Sequence, residues 1–194
     1  MKRVGWVAGI WRPDDGAVAR VGAAWSRRAL EDQGAYARAT PFDVLVGGPE
    51  PAPGIEWPML GGRVLAWIVD ETVVIEAAAP PVVTMVSLMR RRPTIGHDEF
   101  VDHWRKRHAP IAKRRHVGLV DYRQCVVTET ATSDTPEIDG IAFLGFGSRE
   151  DFETRFFDSD EGRAEVVADV ARFMDRPGPE TTLVGPPEPD GVAG

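Results

Sequence analysis

The chain has 194 residues, 43% hydrophobic and 27% charged, with a formal net charge of −7 and a pI near 5.2. Such apolar content supports a packed core in one ordinary domain or two small ones and excludes wholesale disorder, and the acidic balance excludes a general nucleic-acid binder, which needs a net basic face. The lone cysteine, Cys125, excludes an internal disulfide and fits a reducing cytoplasm, and the N-terminal apolar run is too short to span a membrane.

Residues 4–11 alternate bulky and small side chains and stop at Arg12-Pro13-Asp14-Asp15-Gly16, which predicts a strand and a turn. Residues 17–38 place Val18, Val21, Trp25 and Ala29 at helical spacing, with Asp14 or Asp15 near the start. Residues 42–46 form a short strand closed by Gly47-Gly48. Residues 49–62 are rich in proline and glycine, a long irregular loop whose Trp57 suggests docking. Residues 63–69 and 73–75 form a hairpin turning at Asp70-Glu71. Ala77-Ala78-Ala79-Pro80-Pro81 breaks the composition, so the chain divides into residues 1–80, residues 81–185 and a flexible tail, 186–194.

The second part opens with an apolar strand over 82–89, ended by Arg90-Arg91-Arg92-Pro93. A helix follows, then a strand over 117–128. In that strand Val120, Tyr122, Gln124 and Val126 face one way, and Asp121, Arg123, Cys125 and Val127 the other. Residues 141–146 are the third strand, Ser148 caps a helix bearing Phe152 and Phe156, residues 160–174 are helical, and 181–184 close the order. The result is βαββαβ, with the first part a shortened version. Such an order gives a four-stranded antiparallel sheet with both helices on one face. The bare face is apolar and must pack on another sheet, from the first half or from a second subunit.

Residues 96–117 organise the chain. All four histidines lie there, and Phe100, Trp104, His108 and Ile111 form an inward stripe at helical pitch. Pro110 removes the N–H that would bond the carbonyl of Lys106, so the helix kinks or restarts beside His108.

Arg91-Arg92-Pro93, Phe100, Trp104 with His108-Ala109-Pro110, Tyr122, Asp139-Gly140, Phe152-Glu153 before Phe156, and Ala168-Asp169 with Arg172-Phe173-Met174-Asp175 give residues 82–184 a resemblance to the EthD-like family of the dimeric α/β-barrel superfamily. The resemblance implies an α+β fold of two ferredoxin-like βαββαβ-type units, the first degenerate, with antiparallel sheets packed into an α/β barrel. It also implies a small apolar cavity and no obligate cofactor. Family members with known chemistry cyclise, dehydrate or decarboxylate aromatic polyketides or isomerise small lactones.

His108 is the candidate catalytic residue, a general acid or base moving a proton next to a carbonyl; the competing reading is a structural histidine bonded to backbone at the kink. Trp104, Tyr122 and Phe143 are the candidate substrate-pocket residues. The Tyr122 phenol could donate to an enolate oxygen, or bond elsewhere as a barrel aromatic. His97, His103 and His116 fall at other helical angles and read as surface residues. No metal site is expected, since His103 and His108 stand about 140° apart around an α-helix. The cluster Arg90–Arg92, Arg105–Arg107 and Lys113–Arg115 fits an acidic carrier protein or a carboxylated aromatic substrate, against a solvated face paired with acidic residues 150–161.

The composite expectation is a cytoplasmic, homo-oligomeric, cofactor-free enzyme of lyase, cyclase or isomerase type acting on a hydrophobic carbonyl-bearing compound. Its rivals are a non-catalytic accessory protein that binds a hydrophobic small molecule or partner enzyme, and a cofactor-independent oxygenase or haem-binding barrel.

Overall fold

Alternation within strand β1 (Lys2–Ile10) sets the architecture: Trp6, Ala8 and Ile10 point to one face and Val7 to the other, so a single sheet separates two cores. The computed structural model describes residues 2–13, 23–34, 42–49, 57, 62–175 and 180–188, with side chains from residue 5 onward. The other strands are β2 (Trp25–Arg28), β3 (Val44–Gly48), β4 (Val64–Ile75), β5 (Val83–Met89), β6 (Leu119–Thr130), β7 (Gly140–Phe146) and β8 (Glu180–Val184). All pair antiparallel in the order β2-β3-β1-β4-β6-β7-β5-β8. Each half therefore repeats one spatial order, second-third-first-fourth, the ferredoxin-like arrangement.

The halves meet twice, each time by pairing the fourth strand of one with the second of the other. The first junction is β4 with β6. The second is β2 with β8: the amides of Leu30, Gly185 and Glu188 donate to the carbonyls of Leu183, Arg28 and Ser26, each at 2.9 Å. The sheet thus nearly closes into a barrel within one chain, which shortens the free edges and covers the apolar inner face. Val7, Leu45, Trp67, Val86, Val127 and Ile141 fill that interior.

Among the described residues, five helical segments accompany the second half: α1 (His97–His103), a π-helical turn (Trp104–His108), α2 (Ala109–Arg115), α3 (Arg149–Thr154) and α4 (Asp160–Phe173). They lie on the outer face, where Phe100, Trp104, Phe152 and Phe173 pack on Tyr122, Val126, Leu144 and Phe146. Ser148 and Ser159 cap α3 and α4 by accepting from the amides of Asp151 and Gly162.

Several sequence expectations are corrected. The helix over 17–38 gives way, within its described part, to β2: Trp25 and Arg27 face inward and Ser26 and Arg28 outward, a period of two hidden by apolar spacing that also suits a helix. Residues 14–22 and 35–41 lie outside the described residues. No hairpin forms at Asp70-Glu71. β4 runs through, because it lies between two partners: β1 pairs with its residues 64–72 and β6 with its residues 67–75, so Asp70 and Glu71 are held on both sides. The loop over 49–62 is described only at Pro49, Trp57 and Gly62, and Trp57 docks edge-on against Trp6 with centroids 5.5 Å apart. The tail expected to be flexible starts ordered: Glu188 bridges to Ser26 and pairs with Arg28. Residues 189–194 lie outside the described residues. His116 is buried and His103 half-buried, so neither is a free surface residue. None of the described helices is long and apolar enough to cross a membrane.

Candidate functional site

Polar groups gather inside the fold at two places, one end of the barrel and the seam between α4 and the α1–α2 rod. At the barrel end a cavity of about 520 Å³ is bounded by β1, β2 and β4 of the first half, β5, β6 and β7 of the second, and the connecting segment 77–81. That volume suits a small organic ligand. Trp25 and Phe143 meet edge to face across its wall, 5.9 Å apart. Trp25 can lie flat there because its register partner is Gly47. A Cβ at residue 47 would stand 2.2 Å from the indole. Val7, Val69 and Cys125 continue the apolar surface.

Against this wall stand two arginines and two carboxylates. Arg123 is tied on both sides, its Nε to Asp121 Oδ2 and its Nη1 to Glu71 Oε1, each at 3.1 Å. Burial pulls its guanidinium pKa down, but Asp121 and Glu71 outweigh that and the net shift is upward. Arg27 is held differently. Its Nη1 donates to Thr84 Oγ1 and to the carbonyl of Gly185, both at 3.1 Å, and among the described residues no carboxylate pairs with it. Burial lowers its pKa to about 10, with Asp121 opposing and Arg123 assisting. Burial, reinforced by Glu71 and opposed by Arg123, pushes the Cys125 thiol up, so it stays a poor nucleophile.

The seam holds the histidines. Asp169 on α4 accepts from His103 Nε2 through Oδ1 and from His108 Nδ1 through Oδ2, both at 2.9 Å. Both rings pack on Phe173. Burial raises the Asp169 pKa, but the two histidines outweigh it and hold the carboxyl below its usual value. On an α-helix residues five apart point in different directions; in a π turn, whose hydrogen bond spans five residues, they share a face. The amide of Ala109 bonds the carbonyl of Trp104, and this extra residue lets His103 and His108 converge on one carboxylate. The expected discontinuity beside His108 is present. The buried stripe keeps His108 after Trp104 and then continues through Ala109, Ala112 and His116 in place of Ile111.

The four sequence-derived candidates therefore separate. Phe143 lies on the cavity wall. Trp104 and Tyr122 are fully buried between helices and sheet, where the indole N–H donates to the phenol oxygen at 3.0 Å and Gln124 donates to the same oxygen at 2.9 Å. His108 is wedged between helices on the outer face, not on the barrel's inner wall. Sequence reasoning missed Trp25, Arg27, Glu71, Asp121 and Arg123. The signal for Asp121 and Arg123 was available: opposite charges two residues apart on the face of β6 turned away from Tyr122. Among the described residues no group of three or more His, Cys, Asp and Glu is arranged to hold a metal ion. Among the described residues, five of the nine residues of the basic cluster pair with acids: Arg90 with Glu180, Arg91 with Asp139, Lys106 with Asp102, Arg114 with Glu165, and Arg115 with Glu165 and Asp158; of these acids Asp158 alone falls within 150–161.

Residues 92–177 match the EthD domain family. Among solved structures, the fold is similar to that of an anthrone oxidase-like protein, with a TM-score of 0.61 and 13% identity over 94% of this chain and 90% of that one. It is also similar to a protein provisionally named a monooxygenase from Lactobacillus acidophilus NCFM, with a TM-score of 0.54 and 6% identity over 95% and 94% of the two chains. At these identities the likeness is one of fold. No curated protein matches the chain significantly.

Proposed function

We propose that this chain, whose residues 92–177 match the EthD domain family, is a small cofactor-free enzyme that binds a hydrophobic, carbonyl-bearing aromatic compound in the barrel cavity and moves a proton next to its carbonyl. One observation carries the reading: the cavity walled by Trp25, Phe143, Val7 and Val69 also holds a half-buried guanidinium, Arg27, without a carboxylate partner among the described residues. When a proton leaves the carbon beside a carbonyl, the electron pair settles on the carbonyl oxygen. A desolvated guanidinium stabilises that oxyanion far better than water does. Glu71 is the proton acceptor, since Arg123 engages it only through Oε1. Return of the proton at a different atom completes an isomerisation, and attack of the enolate carbon on a second carbonyl completes a ring closure. Both balance without a redox partner.

The test is deuterium exchange at the α-carbon of naphthyl β-ketones in D2O, followed by NMR without added cofactor. Exchange faster than in buffer, lost in Glu71→Gln with binding retained, supports the reading. Exchange no faster than buffer across the panel overturns it and leaves a binding or accessory role. Running the assay under air and under nitrogen separates one branch. Coupled oxygen uptake assigns the carbanion to reaction with dioxygen, the chemistry that the names of the two structural neighbours suggest.

A second reading rests on a different observation. Asp169 orients His108 through Nδ1, the arrangement that readies an imidazole for proton transfer at Nε2. In that reading His108 is the acid or base, backed by Trp104 and Tyr122. His108→Ala divides the two: turnover persists if the cavity is the site and disappears if the seam is.

A further inference from the structure

We infer that the barrel cavity selects an oxyanion, an aromatic carboxylate or an acidic phenol, and that Arg27 sets this charge preference. The inference rests on the cavity being the ligand site and goes beyond that reading by fixing the ligand's charge. Four ionised side chains line the space. Arg123, Asp121 and Glu71 form a closed group, with each carboxylate taking one guanidinium hydrogen bond. That group belongs to the β4–β6 junction. Arg27 belongs to the opposite junction, where β2 meets β8, and its acceptors among the described residues are neutral: the Thr84 hydroxyl and the Gly185 carbonyl, both on Nη1. No acceptor among the described residues engages its Nε or Nη2, and the side chain lines the cavity. A guanidinium is a planar fork that matches a carboxylate or phenolate oxygen, and one half of this fork is already fixed. Asp121 acts on it through space without a hydrogen bond to it: its Oδ2 accepts from Arg123 at 3.1 Å and its Oδ1 from the amide of Ala77 at 3.4 Å. Edge-to-face Trp25 and Phe143 beside the fork suit a flat ring carrying the oxyanion.

The probes are 2-naphthoate and 2-naphthamide, equal in shape and different in charge. Their affinities for the full-length protein are read from Trp fluorescence and calorimetry at low salt. At least tenfold tighter binding of naphthoate by wild type is expected. Arg27→Met should erase that difference while keeping naphthamide affinity, and Arg27→Lys should keep part of it. Equal wild-type affinities, or a preference that survives in Arg27→Met, overturn the charge inference alone. Failure of both probes to bind overturns the cavity reading with it. The wild-type comparison stands even if Arg27→Met folds poorly.

Discussion

His116 keeps its imidazole neutral between Phe156 and Phe157, donating from Nδ1 to the carbonyl of Phe156 at 2.6 Å. Burial lowers its pKa from 6.5 to about 4, with the Phe156 carbonyl opposing and the charge of His108 assisting. Between those values the unfolded chain binds the proton and the folded chain does not, so stability falls as pH drops from 6.5 toward 4. The loss is on the order of 3 kcal/mol. His116→Asn retains a donor but cannot titrate, and urea melts from pH 7 to pH 4 should show a flatter dependence than wild type. An unchanged slope would place the acid sensitivity elsewhere. At this scale the sequence was half legible. The alternation of β6 separated Tyr122 and Gln124 from Asp121, Arg123 and Cys125, as the structure has them. Which face met the cavity was hidden, because apolar neighbours cover both.

The π-helical turn governs the elements around it. Its Trp104 carbonyl accepts twice, from the amide of Ala109 within the turn and from Gln124 Nε2 on β6 at 3.1 Å, so the strand clamps the turn at its first residue. Gln124→Met removes that donor and the one to Tyr122, and should cost about 1–3 kcal/mol in chemical denaturation. A loss within error would mean that the turn is held by its packing alone. Gly140 admits the same indole: a Cβ there would lie 2.6 Å from Trp104 Cζ3. Gly140→Ala should destabilise by about 1–3 kcal/mol through overpacking, and a neutral melting temperature would contradict that tight contact. Pro110 announced the break in the sequence. What it could not announce was the added residue in the turn, since spacing read at 100° per residue puts His103 and His108 on different faces. The same ambiguity hid β2, where Trp25 and Ala29 satisfy a helical period although Trp25 and Arg27 obey a period of two.

The β2–β8 contact joins the two halves, with each supplying walls to the same cavity. A fragment of residues 81–188 would expose the inner face of β5–β8 and two open edges, β6 and β8. It should run as a dimer or larger in light scattering, and a stable monomeric fragment would show that the second half needs no cover. The doubled strand order was legible from element order in the second half and only faintly in the first. The reason is that β4 crosses the expected hairpin and β2 replaces part of the expected helix. The claim that matters most is that ligand enters the barrel and not the helical seam. A crystal of the protein soaked in 6-bromo-2-naphthoate tests it directly by anomalous scattering. The expected result is a bromine peak inside the barrel beside Trp25 and Phe143, with the carboxylate on Arg27. A peak at the seam beside His108, with the barrel cavity empty, would contradict it.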